Sequence, residues 1–433
     1  MKRGFYTIMS AQFFSSLADN ALFVTAVELL RANGAPEWQR AALVPMFALF
    51  YVVLAPFVGA FADALPKGRV MLISNAIKVV GCLMMLFGHH PLIAYAVIGL
   101  GAAAYSPAKY GILTELLPAS QLVKANGWIE GLTITSIILG VLVGGQLVGP
   151  TISHHLLSFD FPYLDTGVDT PAEAAIAVLI LIYAVAAWFN LHIPLTGVKM
   201  RPLREDPNKS LLGNLMGLLP DFWNCSKRLW SDKLGQISLS TTTLFWGASG
   251  NLRYIVLAWG AAALGYSTTQ ASALVGVVAI GTAVGAVLAS MRMRLDNATR
   301  VIPMGALMGV LVVSMIYIDN LWVAVPFLIL LGGLGGFLVV PMNALLQHRG
   351  HNLMGAGRSI AVQNFNEQLA ILAMGGFYSL STKMGLSAFG AIAVFGLLVA
   401  GTMVLIGLWH LNNRKKYPAE LEKLLEVARR DCH

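Results

Sequence analysis

The sequence predicts an all-α membrane protein with twelve transmembrane helices in two pseudo-symmetric halves of six. Three observations predict it. Only 12% of the 433 residues are charged and 57% are hydrophobic, at a mean hydropathy of +0.70, whereas soluble domains carry about 25% charge. Twelve apolar runs approach the roughly 20 residues that cross a bilayer: residues 8–30, 41–62, 70–88, 92–113, 125–149, 172–194, 236–262, 269–291, 301–318, 321–345, 359–381 and 387–411. One distinctive stretch also occurs twice.

That stretch is GLGAAAYSPAKYGILTELLPASQLVKANGWIE, residues 99–130. Its first part is lined with small residues. Pro107 is expected to interrupt the helix, with Lys109 just past the break, and Pro118 to end the next turn before a helix carrying Asn126 and Glu130. The pattern returns as GGLGGFLVVPMNALL around Pro341 and VQNFNEQLA around Glu367. Gly99, Leu100, Gly101 and Pro107 recur as Gly333, Leu334, Gly335 and Pro341, each 234 residues on, and Glu130 recurs as Glu367 at 237. A duplicated, interrupted, polar-decorated helix in an apolar chain points to a transporter's binding site. A weaker repeat aligns FSSLADNAL (14–22) with FWGASGNLR (245–253), matching Phe14 to Phe245 and Asn20 to Asn251.

Charge placement gives the topology. With the N-terminus inside, 24 of the 29 Lys and Arg residues fall in cytosolic segments. Outside lie Arg31, Arg40 and Lys383, while Lys78 and Arg253 sit within helices. The asymmetry places both termini in the cytosol. The outer loop between Pro150 and Pro171 agrees, holding Asp160, Asp165 and Asp169 and no Lys or Arg. The net charge of +8 thus follows membrane topology and implies no nucleic-acid partner. The expected divisions are a first half at 1–195, a cytosolic linker at 196–235, a second half at 236–412 and a cytosolic tail at 413–433. Two six-helix halves joined by a long central loop are the plan of the major facilitator fold.

Ionisable groups within spans are the sharpest functional signal, because a lone charge there costs on the order of 3 kcal/mol. Asp19, Glu130, Arg253 and Glu367 are expected to face a central cavity. Asn20, Asn343, Gln347, Gln363, Asn364 and Asn366 add polar groups. Asp19 and Arg253 lie in repeat-related segments and are expected to face one another; Lys78 stays open between a cavity role and helix packing, because the third span of this fold is peripheral. GAFADALPKGRV (59–70) resembles a conformational gate motif, in which Gly59 permits close helix approach and Asp63 pairs with Lys67 or Arg69. Glycine pairs Gly140/Gly144, Gly145/Gly149, Gly281/Gly285 and Gly332/Gly336 fit small-xxx-small helix packing.

Several features are read as empty of chemistry. His155 to Asp160 matches an HxxxxD acyltransferase pattern, but so short a loop builds no catalytic domain. Cys82, Cys225 and Cys432 have no metal-ligand spacing, and no disulfide is expected. There is no phosphate-binding loop, so no cofactor and no metal are expected, and transport is either facilitated or ion-coupled. The first apolar run is too long for a cleavable signal peptide.

AQFFSSLADNALF (11–23), APFVGAFAD (55–63), KGRVM (67–71), GAAAYSPAKYGILTELLP (101–118), LVKANGWIE (122–130), LFWGASGNLR (244–253), GGFLVVPMNALLQHRG (335–350) and GAGRSIAVQN (355–364) together closely resemble the bacterial lysophospholipid transporters. The resemblance implies lysophospholipid uptake, such as of lysophosphatidylethanolamine, from the outer to the inner leaflet of the inner membrane. It also implies a cytosolic acyltransferase and acyl-carrier-protein synthetase as partner, which some relatives carry fused; the stretch after 411 is too short for one. A lysolipid has one tail and a head bearing phosphate and often ammonium. Arg253 and Lys109 suit the phosphate, and Asp19, Glu130 or Glu367 the ammonium. Two other readings stay open from the residues alone. One is a proton-coupled exporter of drugs or small amphiphiles with Asp19 and Glu130 as proton carriers. The other is a lipid enzyme in the membrane, for which no nucleophile cluster is found.

Overall fold

The computed structural model describes residues 3–116, 119–158, 167–197, 200, 210–354 and 356–430, and the side chains of Asp63 and Glu130 lie outside that description. All regular structure among the described residues is helical. α1 spans Arg3–Ala32, α2 Glu37–Val53, α3 Ala55–Ala64, α4 Lys67–Leu86, α5 Pro91–Leu116, α6 Ala119–Leu147, α7 Pro150–Leu157 and α8 Pro171–Leu191. α9 spans Leu211–Ser231, α10 Gly235–Leu264, α11 Thr268–Arg292, α12 Ile302–Ser314, α13 Leu321–Met354, α14 Ala356–Lys383, α15 Ala388–Lys416 and α16 Pro418–Arg430.

Each of the twelve apolar runs emerges as helix. The run at 41–62 is parted into α2 and α3 at Leu54, where Pro56 opens the new helix. The run at 301–318 is α12 flanked by the 3-10 segments Leu295–Val301 and Met315–Tyr317. Among the described residues, eight helices are apolar and long enough to cross a bilayer, or nine if the bent pair Gly131–Leu147 and Pro150–Leu157 is one span. α10 and α14 fall short of that test through their Ser, Thr, Asn and Gln content. They are the helices that carry Arg253 and Glu367.

Three expectations are corrected. Pro107 and Pro341 interrupt nothing: α5 and α13 run through them as continuous helices. A proline inside a helix deletes one backbone hydrogen bond, and in a span the packing of neighbouring helices accommodates that loss. The helix does end near the second proline, α5 stopping at Leu116 and α6 starting at Ala119; Pro118 itself lies outside the described residues. The loop after Gly149 begins as a helix, α7, bent 63° from the end of α6. Its far side is closed by Thr170, whose hydroxyl accepts from Glu173 N while the Glu173 carboxylate accepts from Thr170 N, a capping box. Third, the linker and the stretch after 411 are not plain loops. They hold the amphipathic helices α9 and α16, and α15 itself continues to Lys416.

The chain forms two compact units, one of residues 1–215 and 265–276, the other of 216–264 and 277–433. In the first, α1 packs on α6 and α8, and α4 on α5 and α8. Glycines set the spacing. A Cβ at Gly140 would fall 2.6 Å from the Leu17 carbonyl and one at Gly144 2.6 Å from that of Ala21, so α6 lies directly on the α1 backbone. A Cβ at Gly99 would overlap the Phe47 carbonyl of α2. In the second unit α10 packs on α13, α14 and α15, and α12 on α15. There Gly281 and Gly285 of α11 meet Ile329 and Gly333 of α13, backbone to backbone, while Gly332 and Gly336 return the fit against Val278 and Thr282. The small-residue pairs are therefore contact seams. Gly59 is different: no described atom lies within 4 Å of where its Cβ would be, so the expected close approach is not there.

Candidate functional site

Asp19 is at the middle of α1, and two other helices complete its surroundings. Lys78 of α4 places Nζ 2.7 Å from Asp19 Oδ2, and Tyr183 of α8 donates its hydroxyl to Oδ1 at 2.6 Å. Lys78 Nζ also donates to Ser15 Oγ at 3.0 Å, and Ser15 in turn to Asn75 Oδ1 at 2.8 Å. The ammonium lies 5.1 Å from the ring centre of Tyr105 and 5.6 Å from that of Tyr183, close enough for cation–π attraction. Lys78 is 1% exposed and the Asp19 side chain 20%. Gly101 makes this possible, because a Cβ there would sit 2.7 Å from Lys78 Cγ. Lys78, left open between cavity and packing by its sequence, is thus the ion-pair partner of Asp19. A lysine inside an apolar span needs a counter-charge, and Asp19 supplies it. Two buried polar atoms beside the pair, Asn75 Nδ2 and the Tyr105 hydroxyl, have no hydrogen-bond partner among the described residues.

The second unit holds a network around Glu367, the repeat counterpart of Glu130. Glu367 of α14 is 7% exposed. Gln363 Nε2 donates to its Oε1 at 2.8 Å and to Asn343 Oδ1 of α13 at 2.5 Å. Asn343 and Asn364 are half-buried, whereas Gln347 is exposed. Arg253 is half-buried on α10. The weak repeat is echoed in bonding: Asn20 donates to the carbonyl four residues back, Ser16, at 2.8 Å, and Asn251 does the same to Gly247 at 2.7 Å. Asn251 also reaches the Ile371 carbonyl of α14 at 3.2 Å. The described partners of Asp19 all belong to its own unit, so its carboxylate does not wait for Arg253 to be neutralised. Glu130 is on α6, and its side chain lies outside the described residues.

In the gate motif, the described contacts of Lys67 run to the ends of α5 and α3. Lys67 is buried; its Nζ donates to the Ala62 carbonyl at 2.7 Å and lies 3.6 Å from Glu115 Oε1. Thr196, beyond α8, donates to the other Glu115 oxygen at 2.6 Å. Glu115, at the end of α5, was not singled out from sequence, although it belongs to the repeated stretch. Arg69 is exposed, and Asp63, the anion expected here, is outside the described side chains. Lys109 is buried, with Nζ 4.4 Å from the Tyr110 ring centre. At the opposite end of α1, Arg31 donates to Thr268 Oγ1 at 2.7 Å, Thr268 to Glu28 Oε2 at 2.5 Å, and Thr269 to the Gly145 carbonyl at 2.7 Å. His155 is exposed on α7, and Asp160 lies outside the described residues.

Charged side chains buried inside apolar helices, with Asn20 and Asn251 buried in matching places of two sequence repeats, are the marks of a polytopic membrane transporter. The chain belongs to the Major Facilitator Superfamily, whose family model matches residues 8–375. It is 40% identical over 414 residues to the lysophospholipid transporter LplT of Enterobacter sp. (strain 638), covering 95% of this chain and 97% of that one. To the protein of the same name from Photorhabdus laumondii it is 38% identical over 415 residues, with 96% and 97% covered. Solved structures share the fold at low identity. A bacterial homologue of the human lysosomal transporter Spinster has a TM-score of 0.64 at 15% identity, over 96% of this chain and 97% of that one. The nucleoside transporter NupG has 0.64 at 12%, over 96% and 100%.

Proposed function

We propose that the chain carries lysophospholipids from the outer to the inner leaflet of the bacterial inner membrane, delivering them to a cytosolic acyltransferase and acyl-carrier-protein synthetase. The observation that carries this reading is end-to-end similarity, near 40% identity, to relatives named as lysophospholipid transporters. The charge asymmetry supports an orientation with both termini in the cytosol. The residue chemistry fits the cargo. Arg253 and Lys109 offer cations to the phosphate, Arg253 with the planar fork that grips two oxygens. Glu367 and Glu130 offer anions to an ammonium, with Asn20, Asn343, Gln347 and Asn364 as hydrogen-bonding groups beside them. Asp19 enters differently from the others. Its carboxylate already holds Lys78, so a lipid ammonium reaches it only by exchange with that lysine. Gly59, Asp63, Lys67 and Arg69 are assigned to gating, with Glu115 as the anion for Lys67.

Uptake of acyl-labelled lysophosphatidylethanolamine and lysophosphatidylglycerol into proteoliposomes tests the reading. We expect saturable uptake of both, strong loss in Arg253→Ala and partial recovery in Arg253→Lys. Uptake no faster than in protein-free vesicles, alongside efflux of cationic drugs, would overturn it. Repeating the assay with and without pH and sodium gradients identifies the energy source.

A further inference from the structure

α9 carries two stripes. The inner one, Phe222, Cys225 and Leu229, packs on Leu239, Leu346 and Val362. The outer one contains Met216, Trp223 and Lys227, spaced seven and four residues apart and so on one face. Trp223 is 67% exposed and Met216 54%. Beside this stripe, Asn224, Lys227, Arg228 and Ser231 line a shallow groove of about 640 Å³, with Asp232 and Leu353 at its edge.

The groove is positively charged. Its one carboxylate, Asp232, is spoken for: Arg349 donates to Oδ1 at 3.1 Å and to Oδ2 at 2.7 Å, and Gly235 N donates to Oδ1 at 2.7 Å. Lys227 and Arg228 are exposed and have no ion-pair partner among the described residues. An exposed tryptophan one turn from paired basic residues, on an amphipathic helix of a membrane-embedded chain, has the chemistry of a bilayer interface.

We propose that this groove binds the phosphodiester head group of an anionic phospholipid in the leaflet on which α9 lies. Arg228 and Lys227 take the phosphate oxygens, Asn224 adds an amide donor, and Trp223 and Met216 enter the acyl-chain roots. Charge complementarity selects a lipid head over an apolar protein surface, because the stripe ends in two exposed cations that have no ion-pair partner among the described residues. No described residue lining the groove belongs to the networks of Asp19 or Glu367, so lipid binding here does not depend on which solute those networks move.

Tryptophan quenching tests this in the full chain. Vesicles of phosphatidylcholine receive equal mole fractions of brominated phosphatidylglycerol or brominated phosphatidylcholine, and the Trp223 signal is the difference between wild type and Trp223→Phe. We expect brominated phosphatidylglycerol to be preferred about fivefold or more. In Lys227→Gln/Arg228→Gln the preference should vanish while quenching by both lipids persists, which shows that the helix still lies on the bilayer. Equal quenching in the wild type, or a preference that survives in the double variant, would overturn the head-group site. No quenching by either lipid would also overturn it, and would assign the stripe to a protein partner.

Discussion

Lys78 is the residue on which the first half turns. Both oxygens of Asp19 are occupied, one by Lys78 and one by Tyr183. Removing one partner of a buried pair leaves the other charge stranded, at a cost of about 3–5 kcal/mol. Lys78→Met should therefore lower the thermal unfolding temperature of the purified protein markedly. Asp19→Asn/Lys78→Met should recover most of that stability, and uptake should stay low if the pair also serves transport. A single variant as stable as wild type would remove the ion pair from the fold's energetics. The site was legible in sequence only as far as single residues go. Asp19, Glu367 and Arg253 stood out because charge is rare in apolar runs. Lys78 met the same criterion but stayed undecided between cavity and packing, since spacing along one helix does not say which face meets another. Glu115 was missed for a plainer reason: it lies at a helix end, where a carboxylate is unremarkable.

At the scale of elements, glycine has two opposite effects in these helices. Where a backbone crosses closely, as at Gly99 against Phe47, an added methyl forces helices apart, and Gly99→Ala should destabilise by about 1–3 kcal/mol. Gly401 on α15 has no described atom within 4 Å of its Cβ position and is exposed. There Gly401→Ala should stabilise by about 0.5–1 kcal/mol through helix propensity alone. Calorimetry or dye-based melting of the two variants checks the signs, and equal shifts would discount the seam. The α9 junction offers a second check. Arg349 and Asp232 are both nearly excluded from solvent, so Arg349→Ala should loosen α9 and speed proteolysis after the linker, with Arg349→Lys milder than Arg349→Ala. Helix existence was readable from hydropathy almost throughout. Pro107 and Pro341 misled because proline breaks helices in water more readily than among packed spans. α9 and α16 lack an apolar run, and in such amphipathic helices the period of 3.6 carries the signal instead.

For the whole molecule, twelve runs, a duplicated stretch and the basic-residue asymmetry were enough to indicate two related halves, because each depends on composition over long windows rather than on single contacts. The partition into units was less legible. Residues 265–276 group with the first unit, where Thr268 bonds Arg31 and Glu28 and Thr269 bonds the Gly145 carbonyl at helix ends. The Asp19 pair also bears on how the chain is made. α1 leaves the ribosome before α4 and α8, carrying a carboxylate at its centre, while its counter-charge is 59 residues away and the Tyr183 hydroxyl 164. At roughly 5–20 residues per second, the first span waits on the order of several seconds for its lysine. During that interval it is a poor membrane segment, and α4 has to arrive before it can settle. A stalled chain ending before Lys78 should insert α1 incompletely, and Asp19→Leu should restore insertion; glycosylation tags on either side report both. Full insertion of the stalled wild-type chain would show that α1 needs no later partner. The pair that neutralises the mature half thus also sets the order in which its first helices are committed to the membrane.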